Sequence, residues 1–226
     1  MQIQLRHQPS YAIARAQLAP GEGIRLESEA MVAMSADMVL ESKMEGGFMK
    51  SIKRAALGGE SFFMTTCTAG PQGGWVDFAP GLPGDIINVD VDPGTSWVVT
   101  RSSWLASATS VNLDTKWGGF QSLVGSEGGF VAHATGQGPL LVNCYGALDH
   151  FDLPPGQQFV LDTGHLVLMQ DTVQFQLERA AAGWMNTIKS GEGFVFRITG
   201  PGRVFTQSRN PGWFSQFAPA NHSHSR

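Results

Sequence analysis

Three Pro-Gly steps, Pro20-Gly21, Pro93-Gly94 and Pro155-Gly156, sit inside nearly the same apolar pattern, and this recurrence limits the possible folds more than any other feature. Two and four residues before proline stand Leu18 and Ala16, Val91 and Val89, and Leu153 and Phe151. Four and six residues after it stand Ile24 and Leu26, Trp97 and Val99, and Phe159 and Leu161. Side chains two apart share one face of a β-strand, so each stretch predicts a strand, a tight turn and a second strand forming a hairpin with one apolar face. Proline presets φ at the first turn position and glycine accepts positive φ at the next.

The match extends further along the chain. Met31, Trp104 and Leu166 fall eleven residues after proline, and Met38 with Leu40, Val111 with Leu113, and Val173 with Phe175 predict another alternating strand. Glycine-rich connections follow from Gly46, Gly118 and Ala182, where Phe48 and Ile52, Phe120 and Leu123, and Trp184 and Ile188 have the spacing of a short helical turn. Phe63, Phe130 and Phe194, 67 and then 64 residues apart, open the next strand, which runs to Thr68, Thr135 and Thr199. A last strand, GGWVDFAP, PLLVNCYG or RVFTQSRN, closes each unit.

The expectation is an all-β chain of three quasi-repeats, about residues 1–85, 86–148 and 149–214, arranged around a pseudo-threefold axis with short helical turns. One such unit leaves strand edges unpaired and an apolar face open, and packing three together covers both. No Ser/Gly-rich or charged linker separates them, so residues 1–214 are read as one integrated domain and 215–226 as a polar tail. The composition agrees: 28 glycines and 12 prolines with only 15% charged residues favour many short strands and turns.

A formal net charge of -4 gives no surplus for collecting phosphates, so a nucleic-acid partner is not expected. Cys67 and Cys144 lack the spacing of a zinc knuckle or redox pair and read as reduced, buried thiols. MQIQLRHQPS has no apolar core behind a basic start, and no window approaches the ~20 apolar residues that span a bilayer. A cytoplasmic protein is the expectation.

Glu60, Glu127 and Glu192 recur in the same turn of the three units. If the turns converge near the axis, three carboxylates can bind a cation; otherwise each accepts backbone N–H bonds in its own glycine-rich turn. Lys50, Lys53 and Arg54, interleaved with Met49, Ile52 and Leu57, form a short amphipathic segment suited to an anion, an acidic lipid or a partner. A solvated helix face is the simpler reading, and peripheral membrane contact has no further support. The only His-x-His pair, His222 and His224, falls in the tail, where ligands are not preorganised; His7, His133, His150 and His165 are scattered. Trp75, Trp97 and Trp104 can line a groove or supply packing area. Signatures such as a phosphate loop, a Gly-x-Ser-x-Gly elbow or His-Glu-x-x-His are missing, so no enzyme and no cofactor are expected.

KRAALGGESFF at Lys53, APGLPGDI at Ala79 and the repeated strand-Pro-Gly-strand units resemble the mitochondrial biogenesis family named from an altered-inheritance-of-mitochondria phenotype, over about residues 1–214. The resemblance implies a fold like the tryptophan RNA-binding attenuation protein, a short variant of the double-stranded β-helix, triplicated in one chain. It also implies that eukaryotic members serve organisation of the mitochondrial inner membrane, while prokaryotic members have no assigned molecular activity. It carries no catalytic residues onto this chain. The resulting expectation is a non-enzymatic scaffold or binding protein with a protein partner or self-association; the alternative is a small-molecule or cation-binding sensor with a site between repeats.

Overall fold

The computed structural model describes residues 1–44, 63–114, 131–179 and 194–212. They are almost entirely β, with single 3-10 turns at Arg101–Ser103 and Thr163–His165. The first stretch contains β1 (Gln2–Arg6), β2 (Ile13–Leu18), β3 (Gly23–Glu27), β4 (Met31–Met34), β5 (Val39–Met44), β6 (Phe63–Thr68) and β7 (Gly74–Phe78). The second contains β8 (Ile86–Val91), β9 (Trp97–Thr100), β10 (Trp104–Ala108), β11 (Val111–Asp114), β12 (Val131–Gly136) and β13 (Gly138–Asn143). The third contains β14 (Leu148–Leu153), β15 (Gln158–Asp162), β16 (Leu166–Gln170), β17 (Gln174–Arg179), β18 (Phe194–Thr199) and β19 (Gly202–Gln207).

These strands form four antiparallel sheets in the orders β1-β2-β7-β4, β5-β6-β3-β10-β13-β8, β11-β12-β9-β16-β19-β14 and β15-β18-β17. The Pro-Gly segments join strands as expected, but those strands are not hairpin partners. β2 pairs with β1 and β7, whereas β3 pairs with β6 and β10. The Pro-Gly step is therefore a corner that passes the chain from one sheet to the next, because the flanks of each strand are taken by strands distant in sequence. Gly21 and Gly156 adopt the positive φ predicted for them, 71° and 80°. At Gly94 the Asp92 carboxylate instead accepts the Gly94 N–H at 2.8 Å.

The pairings follow a common scheme in the three stretches. β2 and β4 flank β7, β8 and β10 flank β13, and β14 and β16 flank β19. The strand eleven residues beyond proline is bulged each time, between Met31 and Ala33, Trp104 and Ala106, and Leu166 and Leu168. A bulge places two residues opposite one and re-aims the side chain between. That side chain crosses into the neighbouring stretch: Leu105 is buried in the first core, with Ile24, Leu26 and Phe78, and Val167 in the second, with Trp97, Val99 and Leu140.

The sheets also continue between stretches. β3 pairs with β10, and β9 pairs with β16 in the same register. The expectation that packing three units pairs all such edges needs correction. β4 ends its four-stranded sheet and β15 ends its three-stranded sheet, so no described strand pairing joins the third stretch back to the first. Burial follows the pairing: Leu105 and Val167 are fully buried, while Val32 at the matching place in β4 is 56% exposed.

Candidate functional site

Glu60, Glu127, Glu192, Lys50, Lys53 and Arg54 lie outside the described residues, as do His222 and His224. The other histidines are held apart. His7 occupies the turn after β1, and His133 on β12 meets Asp171 at 3.2 Å. His150 is 4.0 Å from Asp152, and His165 Nδ1 lies 2.6 Å from the Gln207 carbonyl oxygen. Among the described residues no group of three His, Cys, Asp or Glu side chains is placed to hold a metal ion.

Trp75, Trp97 and Trp104 do not share a groove. Trp104 is buried in the core, Trp97 donates its indole N–H to the Asp90 carbonyl at 3.0 Å, and Trp75 lies under a guanidinium. Cys67 and Cys144 are free and buried in different cores. Burial pushes both thiols up to about 11, so neither is a thiolate at neutral pH.

Among the described residues, a charged constellation that one-dimensional spacing does not announce is centred on Asp77. Arg15 on β2 stands directly opposite Asp77 on β7, and Arg6 on β1 reaches the same carboxylate at 2.9 Å. Asp77 is only 6% exposed, and the Arg15 hydrogen bond, reinforced by Arg6, holds its carboxyl below the usual range against the opposing effect of burial. The Arg15 guanidinium carbon sits 4.0 Å from the Trp75 ring centroid, a cation over an aromatic face. Arg203 clasps Asp152 at 2.6 and 2.9 Å, and Arg197 clasps Glu178 at 2.7 and 2.9 Å. Cross-strand register brings these pairs together, and one-dimensional spacing carries no sign of it.

Two concave regions stand out among the described residues. A cavity of about 510 Å³ lies where Trp97 from the second stretch meets Asp152, Gln170 and Arg203 from the third. A smaller one, about 290 Å³, is bounded by Tyr11 and by residues 79–84, so the APGLPGDI segment forms its wall. Gly84 bridges Gly146 and its carbonyl accepts the Ala12 N–H at 3.0 Å, which ties the first stretch to the second.

Exposed apolar side chains are the other unusual feature. Met31 and Val32 on β4 and Val39 and Leu40 on β5 lie in one ten-residue stretch, and Phe151 and Val160 are exposed on β14 and β15. Isolated exposed hydrophobes are common, whereas a concentration on sheet edges marks an interaction surface.

Sheets that exchange strands across three successive stretches, charges matched within the sheets and apolar edges left open define an antiparallel β protein of multi-sheet architecture. The family model for mitochondrial biogenesis AIM24 matches residues 3–209, and the chain belongs to that family. An uncharacterized protein of Streptococcus pyogenes serotype M6 is 26% identical over 96% of this chain and 88% of its own length. The crystal structure of a Streptococcus pyogenes protein superposes with a TM-score of 0.75 at 24% identity, covering 96% of this chain and 97% of the other, and shares the fold. No helix among the described residues is long and apolar enough to cross a membrane.

Proposed function

We propose that the protein performs no reaction and works as a binding or scaffold protein through the edges of its sheets. The observation that carries this reading is the exposed apolar run Met31, Val32, Val39 and Leu40 on β4 and β5, consecutive strands that each end a sheet. In the recurring scheme, which we read as three quasi-repeats, Val111 and Leu113 match Met38 and Leu40, and both are buried. Leu40 thus keeps the chemistry of a core position on an open surface, which favours a partner that covers it. The charged groups lend themselves poorly to catalysis: Asp77, Asp152 and Glu178 are each engaged by arginine, and both thiols are buried.

Quantitative comparison of material captured from native extract by the wild-type chain and by a Val39→Asp/Leu40→Asp variant tests this. A defined protein partner retained by the first and lost by the second is expected; identical capture overturns the reading.

A second reading, a small-molecule sensor, rests on the cavity beside Trp97, which lies between two of the quasi-repeats. Arg203 and Asp152 neutralise each other on its wall, so a neutral polar ligand suits it better than an ion. A ligand at a hundred times its dissociation constant adds about 2.7 kcal/mol of stability, which thermal unfolding against a metabolite panel detects.

A further inference from the structure

We infer that the cavity beside Trp97 binds a neutral saccharide, seated with its C–H face on the apolar floor and its hydroxyls against Gln170, Arg203 and Asp152. The inference rests on the sensor reading of that cavity and names its ligand class. These three polar side chains and Trp97 stand in one row across four adjacent strands, β9, β16, β19 and β14. Trp97 is the register partner of Gln170, the facing of Met169 and Val204 sets Gln170 beside Arg203, and Arg203 is the partner of Asp152. Partners in register share one face of a sheet, so the row projects to one side and lines the cavity together with Leu153, Pro154 and Gly202.

The hydrogen-bonding capacity of the row is partly used and partly open. Gln170 Oε1 accepts the Arg203 backbone N–H at 2.8 Å, which fixes the orientation of the amide and leaves its N–H groups to donate elsewhere. Arg203 donates through Nε and Nη2 to the two Asp152 oxygens, at 2.6 and 2.9 Å, so its Nη1 stays outside the pair. Each Asp152 oxygen keeps a second lone pair, and the Arg203 hydrogen bond holds that carboxyl below its usual range, so at neutral pH it only accepts. The Trp97 indole N–H is already given to the Asp90 carbonyl. Donors and acceptors therefore lie side by side on a rim whose one ion pair cancels its own charge.

These features select among ligand classes. An anion meets the Asp152 carboxylate and a cation meets the Arg203 guanidinium, so neither is favoured by the site as a whole. A hydrocarbon leaves the Gln170 and Arg203 donors without acceptors, which weakens binding. A flat aromatic ring needs a ring face to stack on, and Trp97 is only 6% exposed. Neighbouring sugar hydroxyls both donate and accept, which matches the rim, and the aliphatic face of a sugar ring suits a floor of Leu153, Pro154 and the small exposed part of Trp97. The cavity, about 510 Å³, lies within the ~300–1,000 Å³ usual for small-ligand pockets.

Comparison within the chain gives independent support. Counted from the prolines, the same row at the junction of the first two stretches is Ile24, Ala108, Pro139 and Asp90. Ile24 and Ala108 are buried there, and the row is apolar up to its last member. The fold thus builds this row from apolar residues elsewhere, and the polar side chains beside Trp97 are not needed to hold the sheet. Asp152 and Arg203 are exposed, so water competes for their hydrogen bonds and the affinity is expected in the millimolar range.

Saturation-transfer NMR of the purified full chain with glucose, galactose, mannose, N-acetylglucosamine, lactose and maltose tests this, with adenosine, uridine and acetamide as competing neutral classes. At least one saccharide is expected to receive saturation and to shift the backbone amides of Asp152, Gln170 and Arg203 in protein-observed spectra. Gln170→Leu and Asp152→Ala are each expected to weaken that saccharide about tenfold, with unfolding curves confirming that both variants fold. Binding by none of the saccharides overturns the inference, as do shifts confined to other residues or wild-type affinity in either variant. A nucleoside or acetamide that binds at these residues when the saccharides do not overturns the saccharide assignment and leaves the sensor reading standing. Binding of no probe at all overturns the inference, and the metabolite panel then decides the sensor reading separately.

Discussion

Arg15 and Asp77 are cross-strand partners whose side chains meet through two hydrogen bonds of 2.7 and 2.8 Å, from Nε and Nη2 to the two carboxylate oxygens. The forked geometry fits because both residues occupy the same face of adjacent antiparallel strands. With Arg6 added, one nearly buried carboxylate on β7 is shared by two cations, on β1 and β2 of the first sheet.

The depressed pKa of Asp77 makes this cluster a pH-dependent contribution to stability. Its ionised form is favoured by folding, so the contribution is present above the ordinary aspartate value of about 3.9 and is lost as pH falls through the lower folded value. Asp77→Asn is expected to lose roughly 1–3 kcal/mol near neutral pH, since a partly buried guanidinium loses its ionic acceptor. The variant's stability also declines less steeply in acid. Urea unfolding at a series of pH values checks both, and parallel curves for the two proteins would contradict the assignment.

Cys67 and Cys144, with thiols raised to about 11 by burial, are expected to resist alkylation in the folded protein at pH 8 and to react together once it unfolds. Mass spectrometry after timed iodoacetamide treatment measures this. Rapid labelling of either thiol under native conditions would show that its core opens locally.

Leu105 and Val32 occupy matching places in β10 and β4 with opposite burial, and they should respond differently to truncation. Leu105→Ala removes a side chain from the first core and is expected to cost about 2–5 kcal/mol. Val32→Ala in the monomer should lie within about 0.5 kcal/mol of wild type. Denaturant unfolding of the two variants at low protein concentration makes the comparison.

Gly84 lies so close to the Cys144 carbonyl that a β-carbon there would overlap the oxygen. Gly84→Ala is expected to cost roughly 1–3 kcal/mol by forcing the backbone apart. Because this contact ties residues 79–84 to the second stretch, hydrogen exchange at the Ala12 and Cys144 amides should quicken. Unchanged exchange at both would mean that the bridge contributes little.

The β class and the order of strands were legible because alternation in Ile24 and Leu26, or in Trp97 and Val99, reflects a local property of extended chain. Pairing was not. Leu18 and Ile24 flank one Pro-Gly turn and belong to different sheets, since Leu18 pairs with Gly74 and Ile24 with Cys67, partners far along the chain that local pattern does not reveal. β1 escaped notice because Gln2–Arg6 is short and largely polar, and it is held as a strand by its ladder to β2. Met31 reads like Trp104 and Leu166 in the pattern, yet it is the exposed member, whereas those two are buried in the cores of their own stretches. The Arg15–Asp77–Arg6 cluster needed three strands in register before it existed at all.

The junctions between stretches also set an order for events at the ribosome. β3 emerges before β10, and β9 before β16, so each growing chain displays an unmatched edge until the following stretch is translated and fills it. Among the described residues no later strand does this for β15, which stays in the condition that β3 and β9 pass through only briefly. The folded chain thus keeps, at β15, an open edge of the kind its own growing intermediates show only for a time.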